Sequence, residues 1–264
     1  MTKLIAISKD TFADKAWLKT PGYGFAAKLA TIPAVAAELP SLVPAMPLGF
    51  VRDGSRFDLV AICSLAPSAN LYVAPDGRWL GGYVPALLRS YPFRLAKVQG
   101  REDSILCMDE DSGAIVSAGQ GVPFFDASGE PAPALKDMLS LLTQIERSGI
   151  ATQAAIAALD SAGLIQPWPL RLQQGSQPAA TVDGLFRIDE AALNALSEES
   201  FLKLRGNGAF AVAYAQLLSM HQLGLLQRLD QVQTELKAQA EAQMNALSAL
   251  EGLFQDDGTI TFTY

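Results

Sequence analysis

At 264 residues the chain is long enough to bury a sizeable core, as one large domain or two modest ones. Half of its residues are apolar and 18% are charged, which excludes an intrinsically disordered chain. The formal net charge is −7 and the basic residues stand singly or in twos, so the clustered Lys and Arg surface that broad phosphate binding requires is missing and no nucleic-acid partner is expected.

Taken in chain order, the first ten residues, Met1 to Asp10, hold too short an apolar stretch for a signal peptide. The expected setting is therefore cytoplasmic, with Cys63 and Cys107 as buried free thiols inside apolar runs. Up to residue 133, short apolar runs alternate with Gly, Pro, Asp and Ser, which predicts a β-rich region. Phe57 to Leu65 reads as a buried strand. Asn70 to Ala74 and Arg78 to Tyr83 read as the arms of a hairpin over residues 69–83. In the joining turn, Pro75 presets φ, Asp76 bonds back to the backbone and Gly77 accepts a positive φ. Ser104 to Asp109 and Ala114 to Ala118 read as a second hairpin, turning through Glu110-Asp111-Ser112-Gly113. Phe124 to Gly129 adds a further turn.

From residue 134 onward Ala- and Leu-rich stretches take over, and helices are predicted. Pro133 to Arg147 places Leu135, Met138, Leu139, Leu142 and Ile145 on one face, and Thr152 to Ala162 reads as a second helix ending at Gly163. Pro167, Pro169 and Gly175 mark a loop with an extended piece at Leu170-Arg171-Leu172. Asp189 caps a helix through Leu196, and Ser197 caps one through Leu204. Gly206 to Gln227 carries no formal charge and is long enough for a bilayer. Asn207, Gln216, Ser219, His221 and Gln222 interrupt it, and its apolar residues fall at helical spacing, so it reads as a core helix rather than a membrane span. Gln231 to Leu250 continues as helix. Leu225, Leu229, Val232 and Leu236 form a partial heptad seam, which predicts contact with another subunit or a protein partner. Thr259 to Tyr264 alternates like an edge strand.

The fold class expected is α+β, a β-rich N-terminal half with hairpins packed with a helical C-terminal half. Residues 1–227 form the α+β domain (β-rich 1–133, helical 134–227), and residues 228–264 add an amphipathic helix and the edge strand.

The sequence assembles no recognisable chemistry of catalysis or metal binding. His221 is the single histidine, which excludes a multi-histidine metal site; it reads as a core or interface residue. Ser64, Ser68 and Cys107 lack a nucleophile motif. Gly119-Gln120-Gly121 runs into Val122-Pro123 and so opens no phosphate-binding helix. Asp76, Asp109, Glu110, Asp111 and Asp126 read as solvated turn carboxylates. No catalytic residue, metal ligand or cofactor is assigned, and enzymatic activity is left open, leaning towards none.

The strongest candidate site is the segment 78–94, where Arg78, Arg89 and Arg94 interleave with Trp79, Tyr83 and Tyr91. Guanidinium forks beside aromatic faces suit an anionic group or a peptide. The competing reading is an aromatic core carrying arginine stems. Strand alternation would set Arg78 and Leu80 on one side of the first hairpin and Trp79 on the other. Tyr83-Val84-Pro85 and Tyr91-Pro92-Phe93 bracket Arg89, and each proline holds the residue before it extended.

Two blocks carry a family resemblance: Asn70-Leu71-Tyr72-Val73-Ala74-Pro75-Asp76-Gly77-Arg78-Trp79 and Tyr83-Val84-Pro85-Ala86-Leu87-Leu88-Arg89-Ser90-Tyr91-Pro92-Phe93. Together they resemble the signature of SapC-family proteins, with Ser90 standing where the family usually has the second arginine of a pair. Weaker similarity extends it over residues 23–227, through Pro47 to Phe50, Cys107 to Glu110, Gly184 to Asp189 and Tyr214 to Ser219. The family takes its name from a bacterial surface-array (S-layer) locus. Relatives are often encoded beside TonB-dependent receptors, flavin-dependent tryptophan-halogenase-like proteins and cupin-type oxygenases. What the resemblance implies is a non-catalytic accessory protein acting with partner proteins. The alternatives are an enzyme acting on a small molecule or peptide, and an S-layer structural or export component.

Overall fold

A computed structural model describes residues 3–19, 22–97, 104–172 and 180–255. The predicted edge strand at 259–264 and Gly175 lie outside the described residues. The chain opens on β1 (Leu4–Ala6), the one-turn helix α1 (Lys9–Phe12), β2 (Lys15–Trp17) and β3 (Thr31–Pro33). The one-turn helix α2 (Leu39–Leu42) leads to β4 (Leu48–Asp53) and β5 (Arg56–Ile62). A long irregular stretch and the one-turn α3 (Ala86–Arg89) precede β6 (Phe93–Lys97), β7 (Ser104–Asp109), β8 (Ile115–Ser117) and β9 (Val122–Pro123). Then come α4 (Pro133–Ser161), β10 (Ile165–Pro167), β11 (Leu170–Leu172), β12 (Ala180–Val182) and β13 (Leu185–Ile188). The helices α5 (Glu190–Asn194), α6 (Glu198–Arg205), α7 (Ala209–Ser219) and α8 (Leu223–Gln255) follow.

The fold is α+β as expected, and among the described residues every strand pairing is antiparallel. The main sheet has the order β10-β13-β4-β5-β3, covered by α4 and α7. Around it lie Phe50, Leu59, Ile62 and Tyr72, with Ile156 and Leu159 from α4 and Val212 and Ala213 from α7. A second core joins β1-β7-β6 and β8-β2-β9, with Phe12, Trp17 and Phe93 each packed on Phe124, and Trp17 also on Phe93, at ring-centroid distances of 4.7 to 6.4 Å. Each such aromatic pair adds about 0.5–1.5 kcal/mol beyond area burial.

Several local readings change. The 69–83 turn forms, with Gly77 at φ 84°, but its ladder is a single bridge, Val73 to Trp79. Trp79 and Leu80 both pack on the core while Arg78 is exposed, so strand alternation does not describe this segment. Both flanks of β7 are taken, by β1 and β6, while β8 pairs with β2; the predicted second hairpin is split between two sheets. The N-terminal strands β1 and β2 compete for these edges, and no local pattern announces that.

The two helices predicted over 133–162 are one helix of 29 residues, running through Ser148-Gly149. A glycine costs a helix only about 1 kcal/mol. Here small side chains are put to use: Ser148 Oγ and Thr152 Oγ1 accept hydrogen bonds from the backbone N–H groups of Ala37 and Ala36 at 3.0 and 2.8 Å. The helical half also supplies β10 to β13, of which the 170–172 piece was legible and β13 was not. Asp189 and Ser197 cap α5 and α6 as expected.

The uncharged run is interrupted by a tight turn at Met220–Gln222. His221 sits there, exposed rather than in a core. By length and composition, Ala209–Ser248 is apolar enough to cross a membrane. Within it, α7 is tied to the main sheet by two buried polar side chains. Gln216 Oε1 accepts from Ile188 N at 2.9 Å and its Nε2 donates to Leu48 O at 3.2 Å. Ser219 Oγ accepts from Leu48 N at 2.9 Å. Helix α8 is anchored by the buried Gln233, whose Nε2 donates to Leu71 O and Val73 O at 3.0 and 2.7 Å. Beyond Leu236 its described side chains are exposed, Met244 and Leu247 among them.

Candidate functional site

Residues 72–93 form an irregular ribbon between the two cores, held by aromatic stacking rather than by a ladder. Trp79 stacks on buried Tyr72 at 5.2 Å and meets Tyr23 edge-on at 5.6 Å. A Cβ at position 81 would come within 2.7 Å of Tyr72 Cδ1 and 2.8 Å of Trp79 Nε1, so only glycine fits beside this stack. Trp79 Nε1 donates to Tyr83 O at 2.8 Å and fixes the backbone where Tyr83 leaves it.

Glu38, 7% exposed, lies beneath Tyr83. Its Oε1 accepts from the Tyr83 hydroxyl at 2.9 Å and from the backbone N–H of Ala86, the first residue of α3. A buried carboxylate is kept only where donors meet it, and these two provide them. On the outer side, Arg89 Nη2 donates to the same Tyr83 hydroxyl at 3.1 Å, Arg89 Nε donates to Val84 O at 3.1 Å, and the guanidinium carbon lies 5.6 Å from the Tyr83 ring centre. Burial and the bond to Glu38 push the Tyr83 phenol up from its ordinary value.

Beyond Arg89 opens a cleft of about 400 Å³ at the junction of the two cores. One wall is the parallel stack of Phe25 and Tyr91, 3.8 Å between ring centres and 14° between planes. Asp137, Met138 and Leu141 of α4 also line it, and Lys19 adds a second cation. The Tyr91-Pro92 peptide is cis. Burial, and then the charge of Asp109, raise the Tyr91 phenol above its ordinary value. The arrangement offers an oriented guanidinium beside a flat aromatic surface, which suits an anion attached to an apolar or aromatic body. Among the described residues no carboxylate lies within ion-pair distance of Arg89.

Of the residues singled out from sequence, Arg89 and Tyr91 line one cleft, and Tyr83 and Trp79 support it from behind. Arg94 is exposed on β6 beside Tyr91 and does not line the cleft. Arg78 points its guanidinium at Asp76 within its own turn, where it meets α8 rather than the cleft. Sequence reasoning missed Glu38, Phe25, Tyr23, Lys19 and Asp137. One signal was available: Glu38 is the single charged residue between Leu29 and Val51, an isolated charge in an apolar stretch.

The other carboxylates are turn residues. Asp109 Oδ1 accepts from Asp111 N at 3.1 Å, Glu110 pairs with Lys3 at 2.7 Å, and Asp126 accepts from the backbone N–H groups of Ser128 and Glu130 at 2.9 and 3.0 Å. The hydrogen bonds from Ser128 and Glu130 hold the Asp126 carboxyl below its ordinary value. Among the described residues no group of three His, Cys, Asp or Glu side chains is placed to hold a metal ion. Cys63 and Cys107 are both free and buried.

Compared with known proteins, the chain matches the model of the SapC family over residues 7–226. No curated protein and no solved structure matches it.

Proposed function

We propose, from the premise that the chain belongs to the SapC family, that it is a non-catalytic accessory protein whose cleft receives a carboxylate-bearing segment with an aromatic or apolar neighbour, presented by a partner protein in the cytoplasm. The observation that supports this reading best is Arg89, held by Tyr83 and Val84 beside the Phe25–Tyr91 stack. Ordering an arginine before its ligand arrives removes part of the entropic cost of binding. The resemblance suggests halogenase-like proteins, oxygenases or TonB-dependent uptake systems as the source of such a partner.

The test is a titration of the folded protein with N-acetyl-phenylalanine and with its amide, followed by heteronuclear NMR. The carboxylate is expected to shift the resonances of residues 83–93 and 134–141, and the amide to bind at least tenfold more weakly. Equal binding of the two, or shifts confined to other parts of the molecule, would overturn the reading.

A further inference from the structure

A second cavity lies beside the segment that precedes the ribbon, against the first turns of α8. It has a volume of about 590 Å³ and is walled by Leu65 and Leu71 from the segment after β5, Leu170 from β11, and Leu223 and Leu226 from the first turn of α8. Open cavities of this size are ordinary for bound small molecules.

Two features keep it open. Ala66 and Ala69 line one side, and Gly224 lines the other. A Cβ built on Gly224 would meet no atom within 4 Å, so no neighbouring atom forbids a side chain there; what the glycine preserves is room. The segment forming the first side also contains Ser68 at φ 54°, the one non-glycine residue with positive φ among those described. Such a backbone carries a cost of order 1 kcal/mol or more.

The polar groups around this apolar space are not balanced. Arg171 and Lys237 line it with a single carboxylate, Asp230, and none of the three is in an ion pair among the described residues. In a chain of net charge −7, an excess of cation beside a leucine-walled cavity favours an anionic head on an apolar chain.

We infer that this cavity is a binding site for a single-chain aliphatic carboxylate, its chain among the leucines and its carboxylate against Arg171 and Lys237. The site is separate from the Arg89 cleft, and the inference does not rest on the function proposed for that cleft. The probes are sodium octanoate, decanoate and dodecanoate, titrated by calorimetry into the full chain below their micelle concentrations. One molecule is expected per chain, with affinity rising roughly fourfold per added methylene, the equivalent of about 0.8 kcal/mol, until the cavity is filled.

Gly224→Leu and, from the facing wall, Ala69→Phe are each expected to abolish binding; far-ultraviolet circular dichroism establishes that each variant is folded. Arg171→Gln is expected to weaken decanoate at least fivefold while leaving 1-decanol unchanged. Arg89→Ala is expected to leave decanoate binding as it was, which separates this site from the first. Absence of saturable binding for all three acids overturns the inference. So does full retention of binding in a folded filling variant, or decanol binding as tightly as decanoate.

Discussion

Arg89 and Glu38 are joined through one atom: the Tyr83 hydroxyl oxygen accepts from the guanidinium at 3.1 Å and donates to the buried carboxylate at 2.9 Å. A surface cation is thereby oriented by a group inside the core, and the two ends of the relay have different energetic meanings. The inner bond satisfies a desolvated carboxylate, whereas the outer one only orders an exposed side chain.

Truncation at the outer end and at the relay atom should therefore separate stability from binding. Arg89→Ala is expected to reduce affinity for N-acetyl-phenylalanine by about 2 kcal/mol with the melting temperature unchanged. Tyr83→Phe removes the relay atom and is expected to cost about 1 kcal/mol of stability as well as part of the binding. In the double variant the two binding losses should fall short of their sum; strict additivity would mean that Tyr83 does not orient Arg89.

Gln216 has the larger structural role. Replacing it by Ala leaves the Ile188 N–H and the Leu48 carbonyl without the partners they have in the core. The expected loss is about 3 kcal/mol, read from urea unfolding, against a negligible change for Gln239→Ala on the exposed part of α8.

Helix α8 has a boundary within it, between its anchored and its projecting part. A chain ending at Lys237 keeps Gln233 and its bonds to Leu71 and Val73, and is expected to melt with the full-length protein. A chain ending at Leu229 loses them and is expected to be less stable by about 1–3 kcal/mol. Light scattering on the first truncation reads whether the projecting part holds a second subunit: a halved mass shows that it does.

Alkaline pH should act through Cys63. Burial pushes its thiol well above the ordinary 9.0, as burial does for the neighbouring Tyr72 phenol. Above pH 9 the unfolded chain releases the thiol proton while the folded chain retains it. The stability present below that pH is then lost as pH rises. Cys63→Ala is expected to flatten the decline in the urea midpoint between about pH 9 and 10, leaving a remainder from Tyr72. An unchanged slope would place the sensitivity elsewhere.

What could be read in advance was local. Asp189 and Ser197 announce their helices because a cap acts within three residues, and the Pro75-Asp76-Gly77 turn carries its own geometry. The segment 78–94 stood out because its arginines and aromatics are contiguous. What could not be read was decided at a distance. The split of β7 from β8 depends on β1 and β2, about a hundred residues earlier in the chain. Glu38 joins the site through contacts 45 and 48 residues away. The stretch of α4 around Gly149 meets Ala36 and Ala37 through Ser148 and Thr152, partners more than a hundred residues earlier in the chain, and the helix runs on through the glycine, whose cost is only about 1 kcal/mol.

That unbroken helix makes the two cores mechanically one. At 1.5 Å per residue its 29 residues form a rod of about 43 Å, with Leu135 and Leu142 seated in the smaller core and Ile156 and Leu159 in the larger. Neither core can open without dislodging the rod on which the other rests. A ligand in the Arg89 cleft would touch that rod near its N-terminal end, at Asp137 and Met138, which line the cleft. Its binding energy would then be transmitted to amides of the main sheet, whose exchange with solvent would slow although the ligand never reaches them.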